Sequence, residues 1–170
     1  MKLYAATLCT ARCLENQLVD LLAERAFLAE STHVTRADEF DKLMVTDHPS
    51  PGLWFLHDTG LSDRFLPELS AMRLEHDPIH RHKDVLSHTL AVVENVRPLH
   101  EQPEGRPEFD FRIVRLAALF HDIGKPRTRR FEPGGGVSFH HHEVVGARLV
   151  RRRLSALRFP KQVVEDVATL

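Results

Sequence analysis

The chain has 170 residues, 42% of them hydrophobic, which is enough for one globular domain with a sizeable core. Its longest apolar runs, such as 116–120, are far shorter than the roughly 20 residues that span a bilayer, and the N-terminus lacks the pattern of a secretory signal. The two cysteines, Cys9 and Cys13, fit a reduced compartment better than a disulfide framework. These features argue against a membrane protein and predict a cytoplasmic one.

Charge is distributed unevenly along the chain, although the formal net charge is only -1. Residues 112–161 hold 12 of the 23 Lys and Arg residues but only three of the 24 acidic ones. This basic segment predicts either an anionic partner, such as nucleic acid or a phosphate ester, or a solvated charged face. Histidine is also uneven, because nine of the 12 histidines lie between His76 and His142, where a metal or catalytic site is therefore sought.

The first half of the chain is predicted to be helical. Leucines at helical spacing predict a long opening helix over about 5–30. A second helix, with Thr35 as its cap, is predicted to end before the turn-rich stretch 47–52 (DHPSPG), which cannot continue a helix. Two short helical pieces, at 53–58 and 63–72, are predicted to follow.

The second half is predicted to continue this helical pattern around one glycine-rich stretch. An apolar helix is predicted over 85–96, a polar loop within the domain over 100–107, and a second apolar helix over 111–120. The glycine-rich residues 132–136 predict a small hairpin or an irregular loop. Two final helices are predicted, from His142 to about Leu157 and from Pro160 onward.

The adjacent pair His121 and Asp122 is the main candidate for a metal site. A divalent metal that acts on phosphate esters needs nitrogen and oxygen ligands on one side and open positions for water and substrate. Neighbours on a helix point about 100° apart, so both can reach one ion only at a helix end, and Gly124 and Pro126 supply that end. His88, in the middle of a helix packed alongside, would face the same pocket.

Further side chains are predicted to surround this pair. Asp84 lies one turn before His88 on the same face, and is predicted either to be an outer ligand or to hold His88 by a hydrogen bond. His142, the last of three consecutive histidines, offers a further imidazole at a helix start, and Glu143 could orient it or act on water. Taken singly, each feature is more often structural than functional, and only their order and spacing favour a metal site.

The order of these motifs resembles the HD superfamily of metal-dependent phosphohydrolases, with a histidine on one helix, HDIGK at the end of the next, and HE at the start of a third. The resemblance is most specific to the HD-containing half of bacterial CCA-adding tRNA nucleotidyltransferases and their poly(A) polymerase relatives. It rests on the stretches 77–90 (DPIHRHKDVLSHTL), 115–128 (RLAALFHDIGKPRT), 137–146 (VSFHHHEVVG) and 154–159 (LSALRF). The preceding residues 38–69 are similar to the linker helices of that family.

The resemblance implies an all-α fold, an HD-domain helical bundle preceded by linker helices. It divides the chain into N-terminal helices over 1–75, linker-like from about residue 38, and an HD domain over 76–170. No stretch resembles the family's nucleotidyl-transferring head, so nucleotidyl transfer by this chain alone is not expected. The family's last metal-binding aspartate would lie later than Asp166, so the chain is expected to be a fragment or a truncated product whose site lacks one ligand.

The resemblance also implies roles for individual residues. His88, His121 and Asp122 match metal ligands, and His142 matches a further histidine of members that hold metal more completely. The expected cofactor is a divalent ion, namely Mn, Fe, Ni, Co, Zn or Mg. The expected catalytic residues are Asp122, which would bridge ions or activate water, and Lys125, which would hold a substrate phosphate.

Basic residues nearby are candidates for contacts with phosphate or RNA. Besides Lys125, they are Arg127, Arg129 and Arg130 after the HD motif and Arg148, Arg151 and Arg152 on the penultimate helix. For both groups the alternative is a solvent-facing surface. Two functions therefore remain open. One is hydrolysis of a phosphomonoester or a 2′,3′-cyclic phosphodiester, and the other is a non-catalytic body that binds tRNA or a partner beside a vestigial metal site.

Overall fold

The computed structural model describes residues 35–74, 84–97 and 110–170. The predicted opening helix over 5–30 and the predicted loop over 100–107 lie outside the described residues. In these ranges the fold is all-α with one small hairpin, as predicted. Its elements in chain order are α1 (Thr35–Met44), α2 (Ser50–Asp58), α3 (Ser62–Phe65), α4 (Pro67–Ala71), α5 (Val85–Asn95), α6 (Phe111–Phe120), α7 (Lys125–Thr128), β1 (Arg130–Phe131), β2 (Val137–Ser138), α8 (His142–Ala156) and α9 (Lys161–Thr169). None of the described helices is long and apolar enough to cross a membrane.

The turn-rich stretch 47–52 is shorter than predicted. It interrupts the helices only as far as Pro49, because α2 already begins at Ser50. Pro51 lies in the first turn of α2, where its missing N–H costs no helical hydrogen bond. The prediction was therefore wrong about the last three residues of this stretch, which are helical.

The piece predicted over 63–72 is two helices, α3 and α4, rather than one. The break falls at Leu66, whose backbone has a φ of -136° and a ψ of 55°. Pro67 follows, and the ring of a proline disfavours helical geometry in the residue before it. The same proline then begins α4, since its missing N–H is tolerated at the start of a helix.

Of the two alternatives predicted around 132–136, a small hairpin or an irregular loop, the structure has the hairpin. β1 and β2 are antiparallel, with Arg130 opposite Ser138 and Phe131 opposite Val137. The loop between them turns at Gly135, whose φ of +74° suits a residue without a Cβ. The two final helices are also found where the periodicity predicted them, and they are joined by a short turn.

One apolar core connects the helices that carry the candidate ligands. α6 packs against α1, α5 and α9, and α8 packs against α9. Residues with 0% exposure come from several of these helices, and they include Met44, Leu86, Val93, Leu116, Leu119 and Leu154. Because such an interior is close-packed, α5, α6 and α8 are held at fixed positions relative to one another.

The buried guanidinium of Arg115 joins α1 and α5 to α6. It donates to the carbonyl oxygens of Met44 at 2.9 Å and Val96 at 3.2 Å, and also to that of Thr46. These carbonyls lie at the C-terminal ends of α1 and α5, where a helix leaves acceptors without a partner. Arg115 therefore fixes both helices to α6, the helix that leads into the His-Asp pair.

The carboxylate of Glu68 ties α4 to α8. Glu68 is buried, and Arg153 donates two hydrogen bonds to it, from Nε to Oε2 at 2.7 Å and from Nη2 to Oε1 at 2.9 Å. Arg152 adds a longer contact at 3.4 Å. Burial is the largest single influence and raises the pKa of Glu68, but the hydrogen bonds and charge of Arg153, together with a backbone hydrogen bond and Arg152, outweigh burial and hold this pKa below its usual value. The ion pair thus connects the N-terminal helices of the described part to α8.

We predict that Glu68→Gln lowers the free energy of unfolding by about 3 kcal/mol at pH 7, because it leaves the half-buried guanidinium of Arg153 without its charge partner. The folded-state pKa of Glu68 lies below the unfolded value of 4.5. The stabilisation is therefore complete above the unfolded value and is lost as the pH falls through the folded one. Urea unfolding at neutral and acidic pH should show the difference between wild type and variant shrinking in acid.

The control for this prediction is Glu165→Gln. Glu165 accepts from Nε of Arg151 at 2.9 Å, so it also pairs with α8, but both side chains are half-exposed. Exposed pairs contribute about 0–1 kcal/mol, so a small change is expected. Equal losses in the two variants, or a loss for Glu68→Gln that does not depend on pH, would contradict this role of Glu68.

Candidate metal centre

The pair His121 and Asp122 lies where α6 ends, as predicted. His121 is the C-cap of α6, and residues 121–124 form a turn before the short helix α7. Asp122 is 2% exposed, whereas the ring of His121 reaches the surface. Because the helix ends here, the buried side chain of Asp122 and the surface side chain of His121 can approach the same point.

Three imidazole nitrogens face the carboxylate of Asp122. Its Oδ2 lies 3.2 Å from Nε2 of His121 and 4.0 Å from Nε2 of His88. Its Oδ1 lies 3.7 Å from Nε2 of His142. One ligand atom from each of His88, His121 and Asp122 lies within 4.8 Å of the others, so these three residues form a group that could hold a metal ion. The structure therefore brings together all four residues predicted as ligands.

Backbone carbonyl groups orient two of the rings. Nδ1 of His121 donates to the carbonyl of Ala118 at 2.8 Å, and Nδ1 of His142 donates to that of Phe139 at 2.9 Å. A carbonyl only accepts, so Nδ1 of each ring carries a proton and Nε2 is the nitrogen directed toward Asp122, which is the atom that would bind an ion after loss of its own proton. Glu143 is exposed, with Oε2 3.6 Å from Nδ1 of His142. Oriented imidazoles and a carboxylate are a donor set that fits a divalent ion.

The cations around Asp122 keep it ionised. Nζ of Lys125 lies 2.7 Å from Oδ2 of Asp122. Burial is the largest single influence and raises the pKa of Asp122, but the hydrogen bonds and charges of His121 and Lys125 together outweigh burial and lower the pKa to about 2. The hydrogen bond with Asp122 also raises the pKa of His121, against the opposite effect of burial. Asp122 is therefore a carboxylate at neutral pH, which is the form that binds a cation.

Gly124 allows the turn after Asp122 to touch the backbone of α8. A Cβ at position 124 would lie 2.0 Å from the carbonyl oxygen of His142 and 2.8 Å from the backbone nitrogen of Gly146. No side chain fits into this space, so only glycine permits the approach. The contact holds the first turn of α8, which carries His142, against the turn that carries Asp122.

Two carboxylates considered for the metal site have other partners. Oδ2 of Asp84 accepts from the backbone N–H of Ser87 at 3.0 Å and from its hydroxyl at 3.1 Å, so Asp84 caps α5. This is a different role from the predicted one of outer ligand or partner of His88. Asp166, on α9, accepts from Gln162 at 2.7 Å. Neither aspartate belongs to the group around Asp122.

The predicted phosphate-binding arginines differ in their surroundings. Arg151 and Arg152 pair with carboxylates of α9 and α4, at 2.9 and 3.4 Å. Arg129 lies over the ring of Phe131, 4.8 Å from its centroid. Contact with phosphate or RNA stays a prediction for all of them. In the part of the chain that the structure describes, no ion pair is formed by Arg127, Arg130 and Arg148.

Sequence reasoning missed several features that build the centre. It assigned Gly124 only to ending a helix, and it gave no role to Gly146 or to Phe139. The carbonyl of Phe139 orients His142, and its ring lies 5.7 Å from Nζ of Lys125. One signal was present, because a glycine inside a helical pattern, as at position 146, can mark a close backbone approach. No sequence pattern indicated the orienting carbonyls.

Comparison with known proteins identifies the class. The family described as "HD domain" matches residues 85–170, and the family described as "Probable RNA and SrmB- binding site of polymerase A" matches residues 36–72. The first match covers half of the chain and all four residues that converge at the centre. The chain therefore belongs to the HD-domain family, and the resemblance drawn from its motifs is confirmed.

The chain is similar to proteins named as tRNA nucleotidyltransferases and to a multifunctional CCA protein. A CC-adding tRNA nucleotidyltransferase of Thermus thermophilus is 42% identical over 134 residues, which is 78% of this chain and 29% of that protein. An A-adding tRNA nucleotidyltransferase of Deinococcus radiodurans is 37% identical over 135 residues, again 78% and 29%. A multifunctional CCA protein of Pasteurella multocida is 28% identical over 158 residues, 91% of this chain and 33% of that protein. The chain thus spans about a third of the length of these curated relatives.

We predict that Gly124→Ala destabilises the fold by about 3 kcal/mol or more, because the new Cβ would overlap backbone atoms of α8 that cannot rotate away. Gly146→Ala is the matched control. Its Cβ would meet Cγ2 of Ile123 at 3.4 Å, and alanine in a helix is favoured over glycine by about 1 kcal/mol. Urea unfolding should therefore show a large loss for the first variant and none for the second. Similar losses in both would contradict the special role of position 124.

Proposed function

We propose that this centre binds a divalent transition-metal ion and hydrolyses phosphomonoesters or 2′,3′-cyclic phosphodiesters at the end of an RNA. The observation that carries the proposal is the convergence of three Nε2 atoms and the ammonium of Lys125 on the buried carboxylate of Asp122. Because the relatives are named as tRNA nucleotidyltransferases, we propose the 3′ end of tRNA as the substrate.

The donor set supports a transition metal as the cofactor. Imidazole nitrogen combined with carboxylate oxygen suits Mn, Fe, Co, Ni or Zn, whereas Ca prefers oxygen ligands alone. The residues that would hold the ion are His88, His121, Asp122 and His142. A bound ion would supply Lewis-acid stabilisation of the charge that develops on the phosphoryl group.

Lys125 is proposed to bind the phosphate. Its ammonium group has three N–H donors and uses one on Oδ2 of Asp122 at 2.7 Å, which leaves two for phosphoryl oxygens. The ammonium also lies 5.7 Å from the ring centroid of Phe139, a position that favours a cation. Asp122 is proposed to accept a hydrogen bond from the attacking water and to orient it toward phosphorus.

We predict that protein purified without an affinity tag contains a transition metal and that His121→Ala weakens metal binding by at least about 100-fold, since it removes a ligand. Elemental analysis measures the metal content of wild type and of His121→Ala, and the variant should retain far less metal. The control is His140→Ala, which removes an exposed imidazole just before α8 and should leave the metal content unchanged. Equal and negligible metal in wild type and His121→Ala would contradict the proposed centre.

Chelator supplies a second measurement of the same prediction. A ligand present at 100 times its Kd stabilises the fold by about 2.7 kcal/mol, so chelator should lower the melting temperature of wild type. The melting temperature of His121→Ala should not respond to chelator, because that variant has little metal to lose. A wild-type melting curve that chelator does not change would argue against a bound ion.

We predict that the metal-loaded protein hydrolyses 2′,3′-cyclic AMP and that Lys125→Gln lowers kcat by about 100-fold, because an electrostatic donor to the developing charge is removed. Lys161→Gln is the matched control, since Lys161 is an exposed lysine at the start of α9 and lies outside the group around Asp122. Release of adenosine monophosphate measures the rate. No hydrolysis by wild type, or equal rates for wild type and Lys125→Gln, would contradict the proposal.

Binding of tRNA without hydrolysis is the second candidate function. The match of residues 36–72 to a family described as a probable RNA-binding site favours it. In this case the helical body binds tRNA and the metal site is vestigial. On α8, Arg148 has no ion pair in the described residues, whereas Arg151 pairs with Glu165 and Arg152 makes a longer contact with Glu68.

We predict that tRNA binding weakens with salt, with log K falling linearly in log salt by roughly 0.7 to 0.9 per phosphate neutralised. Changing Arg148, Arg151 and Arg152 together to Ser should reduce this slope, and Arg148→Ser alone should produce most of the reduction because its charge is unpaired. A salt titration of tRNA binding measures the slopes. The same slope in wild type and the triple variant, or no binding at low salt, would contradict a role of this helix.

A further inference from the structure

The hairpin between α7 and α8 presents an aromatic face. Phe131 on β1 lies opposite Val137 on β2. Side chains alternate along a strand, so Arg129 lies on the same face as Phe131, in agreement with their contact. On the other strand the same alternation extends the face from Val137 to Phe139. Among the large hydrophobic side chains of the described residues, Phe131 is the one exposed aromatic ring, at 69% exposure.

One cation lies directly against this face. The guanidinium of Arg129 lies 4.8 Å from the ring centroid of Phe131, and its Nε is buried without a hydrogen-bond partner among the described residues. Arg127 and Arg130, which neighbour Arg129 in the chain, are exposed and form no ion pair among the described residues. The one carboxylate of the hairpin, that of Glu132, accepts a hydrogen bond from a hydroxyl group of β2. The exposed ring thus lies in a positive surrounding.

The aromatic face leads to the metal centre. The ring of Phe139, at its far end, lies 5.7 Å from Nζ of Lys125. The same Nζ lies 2.7 Å from Oδ2 of Asp122. Two residues along a strand span about 7 Å, so the exposed ring of Phe131 is a short distance along the hairpin from the lysine. A molecule that lies along this face therefore ends at the group around Asp122.

We propose that this face, formed by Arg129, Phe131, Val137 and Phe139, binds the last unpaired bases of a single-stranded RNA whose terminal phosphate lies at Lys125. The proposal rests on the hydrolytic function proposed above and names its substrate class. Every base has a π face, so an aromatic ring among basic residues binds unpaired bases with little sequence preference. A duplex keeps its bases stacked inside and offers only its phosphates to such a surface.

The size of the hairpin favours a nucleotide over a protein as the ligand. Each strand has two residues, and the exposed surface consists of one aromatic ring beside one guanidinium. A stable protein interface needs about 800 Å² on each partner, which is far more than two short strands offer. One or two stacked bases, in contrast, match an area of this size, and their phosphates match the surrounding charge.

The experiment is a cycle of equilibrium binding measurements by fluorescence anisotropy. The first probe is a short labelled single-stranded RNA with a 3′ phosphate. The second probe is the same strand with abasic sugars at its last two positions, so that its length and its phosphates are unchanged. We expect loss of these bases to weaken binding to wild type about 5- to 100-fold. Phe131→Ala should weaken binding of the intact strand by a similar factor. The variant should bind the two strands equally, because loss of the ring and loss of the bases remove the same contact. Phe131→Trp should retain the affinity.

Chelator in these measurements stops hydrolysis, so the result is independent of whether the proposed function is correct. If only the proposed hydrolytic function is wrong, the binding measurements should give the expected differences while the separate activity assay shows no hydrolysis. Val144→Ala, which removes an exposed apolar side chain on α8, is the control and should bind like wild type. Equal binding of the two strands by wild type, equal binding of the intact strand by wild type and Phe131→Ala, or equal competition by a duplex would overturn the inference.

Discussion

The backbone of Gly124 touches the backbone of α8 at His142 and Gly146, at a separation that leaves no room for a side chain. A contact between two backbones cannot be adjusted by rotation of side chains, so it sets the distance between the elements that meet there. Asp122 lies two residues before this contact and His142 lies directly at it. The contact therefore holds the turn that carries Asp122 beside the helix that carries His142, whose Nε2 lies 3.7 Å from Oδ1 of Asp122.

Two buried charges place the remaining helices around this contact. Arg115 satisfies carbonyl groups at the ends of α1 and α5, and so it fixes α5, with His88, beside α6. Glu68 and Arg153 join α4 to α8 by two hydrogen bonds. A buried charge is costly unless it is paired, which makes each of these contacts specific for one arrangement of the helices. The centre takes its residues from α5, α8 and the turn after α6, so the position of α5 beside α6, which Arg115 fixes, bears directly on it.

The basic segment 112–161 has several physical roles that its composition does not distinguish. Arg115 is buried inside the fold, and Arg151 is neutralised by Glu165. Arg129 is held against an aromatic ring, whereas Arg148 is exposed and unpaired among the described residues. The surface available to an anion is therefore smaller than the excess of basic residues indicates. Counting charges along a sequence overestimates this surface, because a charge and its partner can be far apart in the chain.

The sequence by itself determined the helical class, most helix positions and the identity of the residues that converge at the centre. Periodicity and the helix end before Gly124 are local properties, and the order of the motifs identified His88, His121, Asp122 and His142. Only the tertiary structure decided which of the nearby acids and bases belong to the centre. Arg151 and Arg152 contact carboxylates of α9 and α4, whereas His142 of the same helix contacts Asp122. These outcomes depend on distances between elements far apart in the chain, which packing sets and local sequence does not encode.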